Sequence, residues 1–118
     1  MNVLVIDDNV IARFLMAEML ESVGHKMVAQ AENLAQALKA YQEHKPDLVT
    51  LDLSLNDENG IELLKALRQA DKAAKVLIVT SNAQKKIHDE VMAAGACGFL
   101  GKPFDRKDLT AALALVSP

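Results

Sequence analysis

The stretch VLVIDDN, residues 3–9, decides the fold. Val3 to Ile6 is an uninterrupted aliphatic run, as expected of a strand covered on both faces, and two carboxylates, Asp7 and Asp8, lie just past its end. Strands covered on both faces belong to parallel sheets layered by helices. The next residues agree. Asn9 is a helix N-cap, Ile11, Leu15 and Met19 recur at i, i+4 and i+8 as the predicted core stripe of a first helix, and Gly24 is its stop.

The same alternation continues to the end of the chain. Met27 to Ala31 reads as a second strand. Asn33 followed by Gln36 resembles a capping box, and Leu34, Ala37, Leu38 and Tyr41 form a stripe that Pro46 ends by about residue 44. Asp47 to Leu51 is a third strand running directly into Asp52, after which the polar run NDENG at 56–60 precedes a helix marked by Ile61, Leu64 and Leu67. Val76 to Val79 is a fourth strand ending at Thr80. Asn82 caps a helix carrying Ile87, Val91 and Met92, which Gly95 closes. Cys97 to Leu100 is the fifth strand despite Gly98, Lys102 and Pro103 end it, and Asp105 caps a last helix through Leu109, Leu113 and Val116. Ser117 and Pro118 read as the exit from that helix.

Five rounds of strand and helix predict an α/β fold with a parallel sheet and helices on both faces, residues 1–118 forming one domain without repeat or linker. Composition narrows the function classes. A net charge of −3 gives no basic field for a nucleic-acid backbone, and no apolar run is long enough to cross a membrane. The start shows no secretion signal, and the single cysteine, Cys97, sits in an apolar context that suits the core of a cytoplasmic protein. His25, His44 and His88 are scattered without zinc-type spacing and read as surface or packing residues.

In open parallel sheets, ligands bind outside the carboxyl ends of the strands. The distinctive polar residues collect there: Asp7 and Asp8 after strand one, Asp52 after strand three, Thr80 after strand four and Lys102 after strand five. Any one of them alone is an ordinary turn or cap residue. Together, three carboxylates in one crevice repel each other, and Lys102 by itself cannot balance them, so a hard divalent cation is expected. Mg²⁺ suits a few carboxylates plus water and phosphate oxygens. Beside Mg²⁺, one carboxylate could attack a phosphoryl group to give an aspartyl phosphate, with Lys102 neutralising one phosphoryl oxygen and the Thr80 hydroxyl bonding another.

These residues resemble the receiver domains of bacterial two-component response regulators, above all the stand-alone chemotaxis type. The matched pieces are VLVIDDN at 3–9, PDLVTLDLSL at 46–55, Gly60, VLIVTSN at 76–82 and AGACGFLGKPF at 94–104. Their order and spacing carry the likeness. The resemblance implies a doubly wound, flavodoxin-like (CheY-like) sheet of five strands in the order 2-1-3-4-5. It also implies Asp52 as phosphoacceptor, Asp8 as a direct Mg²⁺ ligand, Asp7 as a second acid acting through water, and the backbone carbonyl of Ser54 as a further ligand. Thr80 and Lys102 match the family's hydroxyl and lysine, Phe99 its switch aromatic, and the Lys102–Pro103 bond is expected to be cis.

The implied function is regulatory and not enzymatic in the ordinary sense. A sensor histidine kinase or phosphotransfer protein supplies the phosphoryl group, and a conformational switch presents the face of helix four, strand five and helix five to a downstream protein. Asn56 stands where the family usually has proline, and Ser54 and Asn82 flank the path to the phosphorylated side chain. A haloacid dehalogenase-type phosphatase is the nearest alternative, but it looks for D-x-D-x-T, whereas Asp7 and Asp8 are adjacent here. A nucleotide-binding module lacks its glycine-rich loop, and a receiver-like scaffold without phosphorylation would not keep the whole set of site residues.

Overall fold

Ten elements alternate along the chain: β1 (Asn2–Ile6), α1 (Val10–Ser22), β2 (Lys26–Ala31), α2 (Leu34–His44), β3 (Leu48–Asp52), α3 (Gly60–Ala70), β4 (Val76–Thr80), α4 (Lys85–Ala93), β5 (Gly98–Gly101) and α5 (Arg106–Val116). This computed structural model describes residues 1–54, 59–81 and 84–116, so the readings placed on Asn56, Asn82, Ser117 and Pro118 lie outside the described residues. All strand pairings are parallel, in the order β2-β1-β3-β4-β5. The predicted sheet and its order are those observed.

Strand alternation divides the core in two. Leu4, Ile6, Val49, Leu51, Val76 and Ile78 pack under α2, α3 and α4, while Val3, Val5, Leu48, Leu77 and Val79 pack under α1 and α5. β3 and β4 are buried along their whole length, which is why their sequences are continuous apolar runs and not alternating ones. β3 ends on Asp52 and β4 on Thr80, so both side chains are held by the last rung of the sheet instead of by the loops beyond it. β5 is displaced by one residue from its expected position and runs to Gly101.

The caps follow the sequence where a short polar side chain was available. Asn9 accepts from the backbone of Ile11 and Ala12, Asn33 from Gln36, and Asn59 from Ile61 and Glu62. Asp105 and Asp108 form a reciprocal box at 2.8 and 3.2 Å. At α2 the box closes one residue early, since Gln36 accepts from the Glu32 amide and not from Asn33. Gly24 and Gly95 adopt the positive φ expected of helix stops.

The buried face of α1 is offset from the expected stripe, of which Met19 alone packs against the core. Ile11 and Leu15 are 66% and 55% exposed, and the helix turns Ala12, Met16, Met19 and Leu20 toward the sheet. Its sequence, VIARFLMAEMLES, is apolar over more than half its circumference, so periodicity admits two stripes about one residue apart. Packing against β1 selects the second. Val10, Ile11 and Phe14 are left facing outward, and Leu15 lies at the edge between the two faces. On α3 the buried row is Leu63, Leu64 and Leu67, with Ile61 only half-buried at its edge. On α4 Val91 is buried and Met92 is 40% exposed.

Candidate functional site

The sheet order reverses between β1 and β3, and the crevice at that switch point opens at their carboxyl ends. Asp7 enters it immediately after β1, tied back to the sheet by its amide, which donates to the Ala31 carbonyl at 3.0 Å. One Asp7 carboxylate oxygen accepts from the Asn9 amide at 2.9 Å. Asp52 enters from the last rung of β3, and its Oδ1 accepts from the Ser54 amide at 2.7 Å. Lys102 arrives from the far side of the sheet, just past β5. Its Nζ donates to Asp52 Oδ2 at 2.6 Å and lies 3.5 Å from Asp7 Oδ2. Residues 95 and 50 positions apart in sequence thus share one ion cluster.

The Lys102 amide donates to the Thr80 carbonyl at 2.8 Å, which ties the residue to the end of β4. The Lys102–Pro103 peptide is cis. Gly60 packs at the opposite rim. A Cβ at Gly60 would lie 2.7 Å from Leu53 Cα and 3.0 Å from the Leu53 carbonyl oxygen, so α3 starts against the backbone that links Asp52 to Ser54 only because this residue has no side chain.

Asp7, Asp52 and Thr80 are nearly inaccessible, at 7, 8 and 1% exposure. Burial raises the Asp7 pKa; the Asn9 amide and Lys102 work against this, and the neighbouring Asp52 charge adds to it. For Lys102, burial alone would lower the pKa, but the hydrogen bond and charge of Asp52, together with Asp7, outweigh it and the net shift is upward. The crevice therefore favours a cation, and Lys102 is the cation it contains.

Asp8 is half-buried next to Asp7, and among the described residues no three acidic, histidine or cysteine side chains form a close metal-binding group. Two hard oxygen donors, Asp7 and Asp52, nevertheless converge on a single positive charge, the donor chemistry that a hard divalent ion requires.

Phe99 lies on β5, half-buried against the core beneath α4, opposite Ile78 and two rungs before Thr80 in the β4–β5 pairing. Its ring meets the His88 ring edge-on, with centroids 5.2 Å apart at 66°. From sequence His88 reads only as a surface or packing residue, and it reaches Phe99 through its place on α4, where its amide donates to the carbonyl of the N-cap Gln84. Arg13 was also missed. From α1 it donates to the Asp7 carbonyl at 2.6 Å and to Gln30 Oε1 at 2.7 Å, bracing the turn that presents Asp7 and Asp8. The only signal for it was a lone cation inside an otherwise apolar helical stretch.

The response regulator receiver domain family matches residues 3–114. The chemotaxis protein CheY of Bacillus subtilis is 37% identical over 102 residues, covering 86% of this chain and 85% of that protein. Among solved structures, CheY in the CheX-CheY-BeF3-Mg complex from Borrelia burgdorferi superposes with a TM-score of 0.90 at 28% identity, covering 99% of this chain and 90% of that one. A response regulator from Burkholderia pseudomallei with a phosphorylated aspartic acid, calcium ion and citrate superposes at 0.83 with 33% identity, over 95% of this chain and 65% of that one.

Proposed function

The chain belongs to the response regulator receiver domain family, and from that premise we propose that Asp52 is its phosphoacceptor and that Thr80, Lys102 and Phe99 read the phosphoryl group. Domains of this family are regulatory and not enzymes in the ordinary sense; they accept phosphorylation on aspartate, typically bind Mg²⁺, and work between kinases and downstream targets. The observation that carries the reading here is the Asp52 carboxylate, held between the Ser54 amide and the Lys102 ammonium at the sheet's switch point.

An Asp52 oxygen attacks the phosphorus of the donor, forming the acyl phosphate O–P bond as the donor's P–N bond, or the P–O bond of a small acyl phosphate, breaks toward the leaving group. Lys102 stays protonated throughout and moves its charge from the carboxylate to a phosphoryl oxygen. The backbone carbonyl of Ser54 and the carboxylates of Asp7, Asp8 and Asp52 would hold Mg²⁺, which supplies neutralisation of phosphoryl charge when bound. Residues 1–118 act as one domain, and a cytoplasmic setting suits the single free Cys97. No helix among the described residues is long and apolar enough to cross a membrane.

The donor, a sensor histidine kinase or phosphotransfer protein, docks on α1. Its outward residues Val10, Ile11 and Phe14 form an apolar surface beginning three residues after Asp7. The downstream protein reads the face of α4, β5 and α5, where the His88–Phe99 contact sits. Once Asp52 is phosphorylated, Thr80 turns its hydroxyl to a phosphoryl oxygen and Phe99 moves into the space released. Inverting a 1:99 equilibrium takes about 5.5 kcal/mol, and two or three charge-assisted hydrogen bonds of about 1.5–3 kcal/mol each supply it. Thr80→Ala should then uncouple partner binding from phosphorylation.

Incubation with acetyl phosphate, with and without Mg²⁺, tests the central step by intact-mass spectrometry. A phosphoryl adduct is expected on the wild type with Mg²⁺ and absent from Asp52→Asn. No adduct on the wild type, or an equal one on the variant, removes the proposal.

A further inference from the structure

Beneath the ion cluster lies a cavity of about 400 Å³ between α1 and the strands. Its walls are Val5, Leu15, Met16, Met19, Val79 and Phe104, and its mouth is formed by Asp7, Asp52 and Lys102. Pockets of roughly 300–1,000 Å³ with apolar walls and a few placed polar groups are the usual form of small-molecule sites. The two methionines add walls that adapt to an occupant.

The floor carries an unexpected residue. Thr50 lies on β3 between Val49 and Leu51, is 2% exposed, and lines the cavity. No hydrogen bond of its side chain is present among the described residues, and no buried side-chain oxygen or nitrogen is sealed off without a partner. Its hydroxyl therefore opens into the cavity. Valine would fill the same volume without the cost of desolvating a hydroxyl that goes unpaired. A trapped water needs two to four polar partners, and the other polar side chains of the lining are Ser81 and the mutually paired Asp7, Asp52 and Lys102.

The charges at the mouth are already matched to one another, since Lys102 lies against both carboxylates. A charged ligand would have to break that cluster. We propose that this cavity binds a small neutral organic molecule with an apolar body and one hydroxyl-type group bonded to Thr50, and that its occupancy slows phosphoryl transfer to Asp52. The binding follows from the cavity alone, whereas the slowing rests on Asp52 being the phosphoacceptor. An occupant packs directly beneath Lys102 and hinders the movement of its ammonium from Asp52 to an incoming phosphoryl oxygen.

Methyl-labelled protein is titrated with p-cresol, toluene and benzoate, following the methyl resonances of Met16, Met19, Val5 and Val79 by NMR. p-Cresol should give saturable shifts at these methyls, and benzoate should bind at least tenfold more weakly. Thr50→Val should weaken p-cresol roughly fivefold, the worth of one neutral hydrogen bond, and leave toluene unchanged. Absence of saturation, shifts confined to the outward residues Val10 and Ile11, or equal loss of both probes in Thr50→Val overturns the site. Saturating p-cresol should also slow acetyl phosphate labelling of the wild type severalfold. Binding with unchanged labelling overturns the coupling, while absence of labelling with or without the probe counts against the phosphoacceptor and leaves the binding result standing.

Discussion

Replacing Lys102 with methionine removes the single cation between Asp7 and Asp52 while keeping most of the side chain's length. Breaking a sealed ion pair costs about 3–5 kcal/mol, because the remaining charge has no partner. The Lys102 side chain is 31% exposed, so water replaces part of what is lost. The 2.6 Å bond to Asp52 counts as one charge-assisted hydrogen bond and the 3.5 Å approach to Asp7 as less, giving a loss of about 1–3 kcal/mol near neutral pH without divalent metal. The cost should depend on pH. Asp7 has a raised pKa in the folded state, so its share of stability is present in acid and is lost as pH rises through that value. The Lys102 shift is also upward, so its share persists through the neutral range and disappears only above the ordinary lysine range. Lys102 therefore offsets the carboxylate repulsion only where both acids are ionised. Urea unfolding in chelator at pH about 5 and about 8 should show the larger deficit at the higher pH. An equal deficit at both, or a larger one in acid, refutes the electrostatic account of the crevice.

Asp7→Asn should raise the thermal midpoint near neutral pH in the absence of metal, because it deletes the carboxylate that burial and Asp52 oppose; the gain should shrink as melts are repeated toward acid, through the carboxylate range. Gly60→Ala places a methyl 2.7 Å from Leu53 Cα, and backbone overpacking of this kind costs about 1–3 kcal/mol, more than the helix propensity gained at the first turn. Chemical denaturation should show that loss, and acetyl phosphate labelling should slow because the Ser54 amide shifts from Asp52. Tyr41, whose hydroxyl donates to Asp71 at 2.7 Å, should titrate at about 12 because of burial first and that bond second. Its contribution to stability is then present below the ordinary tyrosine range and lost as pH rises through the folded value, which absorbance near 295 nm and parallel unfolding curves follow; Asp71→Asn should bring the titration down.

Strand runs, caps and the carboxyl-end clustering were legible because each is a local pattern. Val3 to Ile6 could only be a covered strand, and Asn9, Asn33 and Asp105 had side chains suited to capping. The order of motifs then located Asp52, Thr80 and Lys102. What escaped was set by tertiary packing. α1 offers two apolar stripes, and only contact with β1 and β2 decides which is buried. Thr50 is one letter in PDLVTLDLSL, and nothing local says that its hydroxyl faces a cavity. Nor does the sequence say how the charges meet: in the fold Lys102 lies against both Asp7 and Asp52.

That arrangement bears on how the proposed switch is held off. Lys102 is joined to Asp52 through its side chain and to Thr80 through its backbone, where its amide donates to the Thr80 carbonyl at 2.8 Å, so the two residues expected to meet a phosphoryl group are tied to each other through the main chain. Phe99 lies on β5, three residues before Lys102, with His88 of α4 against its ring. A pull on Lys102 or Thr80 is therefore transmitted along β5 through very few residues, and the first contact it loads outside the strand is an aromatic edge, worth about 0.5–1.5 kcal/mol beyond area burial. A contact of that size is small beside the roughly 5.5 kcal/mol needed to invert the switch, so replacing His88 should shift the resting balance without abolishing the response. His88→Ala should accordingly raise partner binding in the unphosphorylated protein by no more than about tenfold, while phosphorylation still increases it further. Loss of the phosphate response in that variant would mean that the ring contact is part of the active state and not a restraint on the resting one.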